Sequence, residues 1–177
     1  MKLIGITGKA RSGKDTVARM LFAQHAFTRI AFADPLKLAA QQMFGLSKEQ
    51  TWGDHKKEEI IPYWGMSPRQ MFQLLGNEAV KPVFGADIWI KRWSMSYATL
   101  KDTDDIIVPD VRFDHEASHI RSLGGVIVEV LRGPGLVGST GDHVSERGLS
   151  TLPEYTIDNN GTLEDLRVKV MSLVEGL

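Results

Sequence analysis

Apolar residues gather in short unbroken runs at Leu3 to Thr7, Arg29 to Ala33, Asp105 to Pro109, Val126 to Leu131 and Tyr155 to Asp158, each bounded by polar or turn-forming residues. Such runs read as strands. Ile106-Ile107-Val108 and Val126-Ile127-Val128 do not alternate with polar residues, so helices are expected on both faces of a parallel sheet. Helical spacing of apolar residues fills the gaps, over Lys14 to His25, Pro35 to Phe44, Pro68 to Val80, Asp87 to Leu100, His115 to Leu123 and Leu163 to Val174. Strands alternating with helices predict a doubly wound α/β fold. About 70 residues separate the second run from the third, far more than a crossover needs, so a helical subdomain is expected there. The stretch Gly133 to Thr151, with glycines at 133, 135, 138, 141 and 148, reads as a mobile loop or lid.

The chain has 177 residues, which suits one domain. Its 21 basic and 22 acidic residues nearly cancel, so no global field favours a nucleic-acid duplex or an anionic membrane. A polyanion bound here is small and locally recognised. With no cysteine there is no disulfide, thiolate metal site or thiol nucleophile, which fits the cytoplasm. Met1 to Thr7 is too short for a signal-peptide core, and no apolar run approaches the roughly 20 residues of a membrane span.

The strongest chemical signal is Gly8-Lys9-Ala10-Arg11-Ser12-Gly13-Lys14-Asp15-Thr16, which leaves the first strand and opens the first helix. It is a GxxxxGK phosphate loop in its required context. Its glycines let successive backbone N–H groups turn towards phosphate oxygens, and the helix N-terminus adds a positive dipole end. Lys14 then bridges the terminal phosphates. Where a hydroxyl residue for Mg²⁺ usually follows the lysine, this chain has Asp15 and then Thr16. Asp15 either reaches Mg²⁺, directly or through water, or complements the helix dipole; Thr16 is the phosphate contact. No Asn-Lys-x-Asp stretch occurs, which argues against a guanine-specific switch.

Other candidates stand at strand ends and in the insert. Arg69, Gln73, Gly76 and Asn77 fall at i, i+4, i+7 and i+8 of one helix, opposite Met71, Leu74 and Leu75. This is either a ligand face, with the glycine admitting close approach, or a solvated polar face. Asp110 and Arg112 at the end of the third strand, with Glu116 on the next helix, lie where α/β sheets bind ligands, although Asp110 could instead cap that helix. Arg132 ends the fourth strand, and His143, Glu146 and Arg147 could carry charge in a lid. Asp34 either accepts or orients a proton of the attacking oxygen, or caps the helix begun by Pro35. Of Trp52, Trp64, Trp89 and Trp93, all in the insert, Trp89 is the candidate to stack on a base.

These residues together resemble the deoxynucleoside monophosphate kinases of bacteriophages, within the P-loop nucleotide kinases. The resemblance runs over nearly the whole chain. It is carried by the phosphate loop, Phe32-Ala33-Asp34-Pro35-Leu36-Lys37, Arg69 with Gln73 and Gly76, and Asp87-Ile88-Trp89. It continues in Asp110-Val111-Arg112-Phe113 with Glu116-Ala117, in His143-x-Ser145-Glu146 and in Asn160-Gly161-Thr162-Leu163. It implies a three-layer P-loop fold with a five-stranded parallel sheet. The core would span 1–34 and 101–177, a helical monophosphate-binding insert about 35–100, and a lid about 133–151. The implied activity is ATP-dependent phosphorylation of dNMP to dNDP with Mg²⁺. Arg11, Ser12, Gly13, Lys14, Asp15 and Thr16 would hold ATP and, through Asp15, the metal. Arg69, Gln73, Gly76, Asn77, Trp89, Asp110, Arg112 and Glu116 would surround the acceptor. Lys14, Asp34, Arg112 and Arg132 would serve the transfer itself. The resemblance also implies work in the cytoplasm of an infected cell, and leaves room for a homodimer. The loop's Ser-Gly-Lys-Asp is similar to that of phosphomevalonate kinases, and dephospho-CoA kinases share the plan; these are the alternative enzymes, and a non-catalytic nucleotide-binding module is the alternative of another class.

Overall fold

The computed structural model describes residues 1–53, 55–133 and 148–177. Most of the expected lid, with His143, Glu146 and Arg147, lies outside the described residues. Five strands, β1 (Leu3–Thr7), β2 (Thr28–Arg29), β3 (Ile106–Val108), β4 (Val126–Leu131) and β5 (Tyr155–Asp158), form one parallel sheet in the order β2-β3-β1-β4-β5. Among the described residues eight α-helices accompany them: α1 (Lys14–His25), α2 (Asp34–Phe44), α3 (Lys48–Trp52), α4 (Pro68–Gln73), α5 (Lys81–Phe84), α6 (Ile88–Leu100), α7 (Asp114–Ser122) and α8 (Leu163–Gly176). Among the described residues no helix is long and apolar enough to cross a membrane.

The chain divides into two compact units, 1–31 with 96–177, and 32–95. In the first, the strict alternation of side chains along a strand builds three layers. Ile4 and Ile6 of β1 join Val17 and Leu21 of α1 and Leu166 and Val170 of α8 in one buried cluster. Gly5, between them, faces the other way, where a Cβ would sit 2.7 Å from Ile120 of α7. Glycine lets that helix lie directly on the central strand. Burying side chains of this size stabilises the fold by roughly 1.5–3 kcal/mol each.

Two strands are shorter than their apolar runs. β2 ends at Arg29, with one further ladder bond from Ile30 N–H to the Ile107 carbonyl. Beyond it Phe32 is buried by ring contact with Trp93, centroids 5.1 Å apart, rather than by strand pairing. β3 stops at Val108 because Pro109, which has no N–H to donate, opens a turn with Asp110. An apolar run reports burial, and burial has more than one source.

The second unit contains the largest departure from the expected helices. The segment Pro68 to Val80, read as one α-helix, is α4 followed by a π-helical segment, Leu74–Val80. Lys81 N–H bonds the Gly76 carbonyl, five residues back. Pro82 gives a physical reason: it cannot donate to the Glu78 carbonyl and its ring crowds that group, so the ladder re-registers just upstream. The short helices α3 and α5 carry too few apolar positions for periodicity to reveal. Ser47 with Gln50, and Ser67 with Gln70, close reciprocal capping boxes that start α3 and α4.

Candidate active site

The phosphate loop leaves β1 at Thr7 and enters α1 at Lys14 through three residues of positive φ, Gly8 (137°), Arg11 (63°) and Gly13 (103°). At Gly8 a Cβ would collide with the Val130 carbonyl of β4, and at Gly13 with the Asn159 amide after β5. Both glycines are thus fixed by close approach as well as by φ. No side chain caps the N-terminus of α1, and the Thr16 and Val17 N–H groups both turn back to the Gly13 carbonyl (3.0 Å each), so the positive end of the helix dipole opens onto the loop. Lys14 curls back over the loop, and its Nζ donates to the carbonyls of Gly8 (2.7 Å) and Lys9 (2.6 Å). Ser12 is 4% exposed, yet its hydroxyl has no partner among the described residues. A buried hydroxyl without a partner costs about 1–3 kcal/mol, which a bound anion would recover. Arg11 and Asp15 are exposed and Thr16 is half-buried.

The sheet brings further candidates to the rim where this loop sits. Val111 N–H donates to the Ile6 carbonyl (3.1 Å), which ties the segment carrying Asp110 and Arg112 to the end of β1. Because β3 has already ended, these residues stand in a loop and strand alternation does not set their direction. Arg112 is exposed and Asp110 half-buried. Asp110 does not cap α7, whose N-cap position is Phe113. That task falls to Glu116, which is 7% exposed and accepts from the N–H groups of Arg112 (2.8 Å) and Phe113 (3.1 Å). Glu116, expected as a substrate contact, holds the backbone at Arg112 through one carboxylate oxygen. Arg132 is exposed just past β4.

Sequence reasoning missed Asn159. It is 9% exposed directly after β5, its N–H donates to the Leu131 carbonyl (2.7 Å), and its Nδ2 donates to the Ser12 carbonyl (2.8 Å). The available signal was its place at a strand's carboxyl end, the same rule that picked out Arg132. Beyond the segment outside the described residues, Ser150 donates through N–H (2.9 Å) and hydroxyl (2.8 Å) to Asp114 at the start of α7, and these bonds hold that carboxyl below the usual range.

The second unit carries the remaining candidates. Asp34 is the first residue of α2 and Ala33 its N-cap, so the capping alternative fails for Asp34. Arg69 receives a partner the sequence did not suggest: its Nε donates to Glu58 (2.6 Å), while its terminal amino groups have no partner among the described residues. The fork is thereby oriented and left able to grip an anion. In the wider π-helical turn the phase slips after Gln73, since each turn holds more than 3.6 residues. Gly76 is rotated into the unit, where a Cβ would stand 2.7 Å from Leu36. Its lack of a side chain thereby serves packing against Leu36. Gln73 and Asn77 are half-buried. Of the tryptophans, Trp93 is core, Trp52 lies under Lys37 (4.7 Å), and Trp64 donates to the Phe44 carbonyl. Trp89 differs: its Nε1 is buried without a partner among the described residues.

A phosphate loop is shared by many nucleotide-binding enzymes, and comparison with known proteins narrows the class. In three dimensions the chain is similar to the dephospho-CoA kinase of Campylobacter jejuni, with a TM-score of 0.55 at 15% identity, covering 99% of this chain and 96% of that one; at that identity the likeness is one of fold. The sequence is 26% identical to the deoxynucleotide monophosphate kinase of Enterobacteria phage T4, over 100% of both chains. It is 33% identical to an Acanthamoeba polyphaga mimivirus protein bearing the same family's name, over 99% of this chain and 97% of that one. The profile of the deoxynucleotide monophosphate kinase family itself matches residues 54–170, and with it the resemblance first read from the phosphate loop, Arg69 and Asp110-Val111-Arg112 becomes membership: the chain belongs to the deoxynucleotide monophosphate kinase family.

Proposed function

We propose that the chain transfers the γ-phosphoryl group of ATP to deoxynucleoside monophosphates, giving dNDP and ADP. The observation that carries this reading is the phosphate loop, with Lys14 drawn across it and the buried Ser12 hydroxyl left for an anion, in a chain of this family. An oxygen of the acceptor's α-phosphate attacks the γ-phosphorus in line, and the bond from that phosphorus to the β-bridging oxygen breaks. Catalysis then consists of positioning and of neutralising charge on the transferring group.

Each residue has a part on this reading. Loop N–H groups, Ser12 and Thr16 hold donor phosphates, and Lys14 meets the charge that develops on the β–γ bridge. Arg112, its backbone fixed by Glu116, and Arg132 face the in-flight phosphoryl. In the second unit Arg69, oriented by Glu58, grips the acceptor phosphate, with Gln73, Asn77 and Trp89 around its nucleoside. An acceptor phosphate with a second pKa of about 6 is already ionised at pH 7, so Asp34 orients rather than deprotonates. Mg²⁺ fits the exposed Asp15 beside Thr16, because it takes one or two carboxylates together with phosphates and water rather than a protein cage; when bound it would neutralise donor oxygens. The setting is the cytoplasm of an infected cell, in keeping with the viral sources of the relatives.

Incubation with γ-labelled ATP and Mg²⁺ over dAMP, dCMP, dGMP, dTMP, phosphomevalonate and dephospho-CoA tests the proposal. Label is expected in at least one dNDP and in neither of the other acceptors. Label in phosphomevalonate or dephospho-CoA alone would overturn it.

A further inference from the structure

Resting on the phosphate-loop reading above, we infer that Asn159 is a positioning residue for phosphoryl transfer, acting on ATP through the Ser12–Gly13 peptide. Gly13 stands at φ 103°, and a glycine accepts φ of either sign almost equally. The peptide preceding it is therefore free to flip unless something holds it. A peptide unit is planar, so its C=O and N–H point in opposite directions. Whatever grips the Ser12 carbonyl thus also decides where the Gly13 N–H points.

Asn159 supplies that grip. Its Nδ2 donates to the Ser12 carbonyl at 2.8 Å in a buried setting, and the Gly13 N–H, facing away, donates to nothing among the described residues. The grip is itself braced. Asn159 N–H is fixed to the Leu131 carbonyl, Asn160 accepts from Gly133 N–H, and Asp158 accepts from the backbone N–H of Asn160 (2.8 Å). One turn after β5 consequently ties down the end of β4 and the phosphate loop together. Gly13 has no room for a Cβ because Asn159 fills that space, so glycine and asparagine are matched to one another. An asparagine is needed, since a donor must face the carbonyl and an aspartate would face it with a second acceptor.

The test replaces Asn159 by leucine, which is close in volume and cannot donate, and by aspartate, which keeps the shape and reverses the polarity. Losing a hydrogen bond of about 1 kcal/mol predicts that KM for ATP rises about fivefold or more in each, with KM for dNMP unchanged. A purely structural role would lower Tm and leave both KM values of the folded enzyme alone. If the leucine variant does not fold, the aspartate variant decides. An unaltered KM for ATP in a folded variant would overturn the inference. Lys14→Ala, assayed alongside, separates the two claims: loss of turnover there with no effect at Asn159 leaves the phosphate-loop reading standing and removes only this one.

Discussion

Lys14→Ala is expected to lower kcat by about a hundredfold or more while Tm moves by only about 2–4 °C. The asymmetry follows from what the side chain touches. Its Nζ bonds two loop carbonyls, Gly8 and Lys9, at a half-exposed position where water can replace it, so about 1 kcal/mol of stability is at stake. On the proposed mechanism the same ammonium faces transition-state charge that water cannot follow without reorganising, and there its loss is far more costly. Steady-state kinetics and a thermal melt on the same preparation measure both. A variant keeping more than half the turnover would remove the loop from the mechanism, and a variant that unfolds would make Lys14 a structural residue.

Arg69→Lys should raise KM for dNMP at least about tenfold, equivalent to 1.4 kcal/mol, and leave KM for ATP nearly unchanged. Glu58 engages Nε alone, which leaves two terminal amino groups in the planar geometry that suits a phosphate. A lysine offers one point charge, and Glu58 is poised to take it as an ion pair. Kinetics with each substrate varied in turn decide the matter. A rise confined to the ATP KM would place Arg69 on the donor, and no change in either would make the Arg69 face ordinary solvated surface.

The parts of the fold legible in the sequence are those fixed by local pattern. The helix after the phosphate loop runs from Lys14 to His25 as its apolar spacing implies, and β1, β4 and β5 keep the limits of their apolar runs. The loop glycines were legible because positive φ and close approach leave little alternative. What could not be read depends on partners distant in sequence. Glu116 sits in a pattern that suits a ligand contact and a helix start equally well, and only the fold reveals that two backbone N–H groups occupy it. Gly76 shares the face of Arg69 if the helix is α throughout; Pro82 changes the turn, and with it the side on which Gly76 lies. Glu58 and Asn159 lie 11 and 147 residues from the groups they hold, and local pattern does not pair residues across such separations.

Release of ADP with and without a deoxynucleoside monophosphate is the most direct measurement of the central claim. Slow ADP formation is expected from ATP and Mg²⁺ alone, with a rise on the order of a hundredfold when an accepted dNMP is added, because in-line geometry exists only once the acceptor is held. ADP formed equally fast in its absence would contradict it.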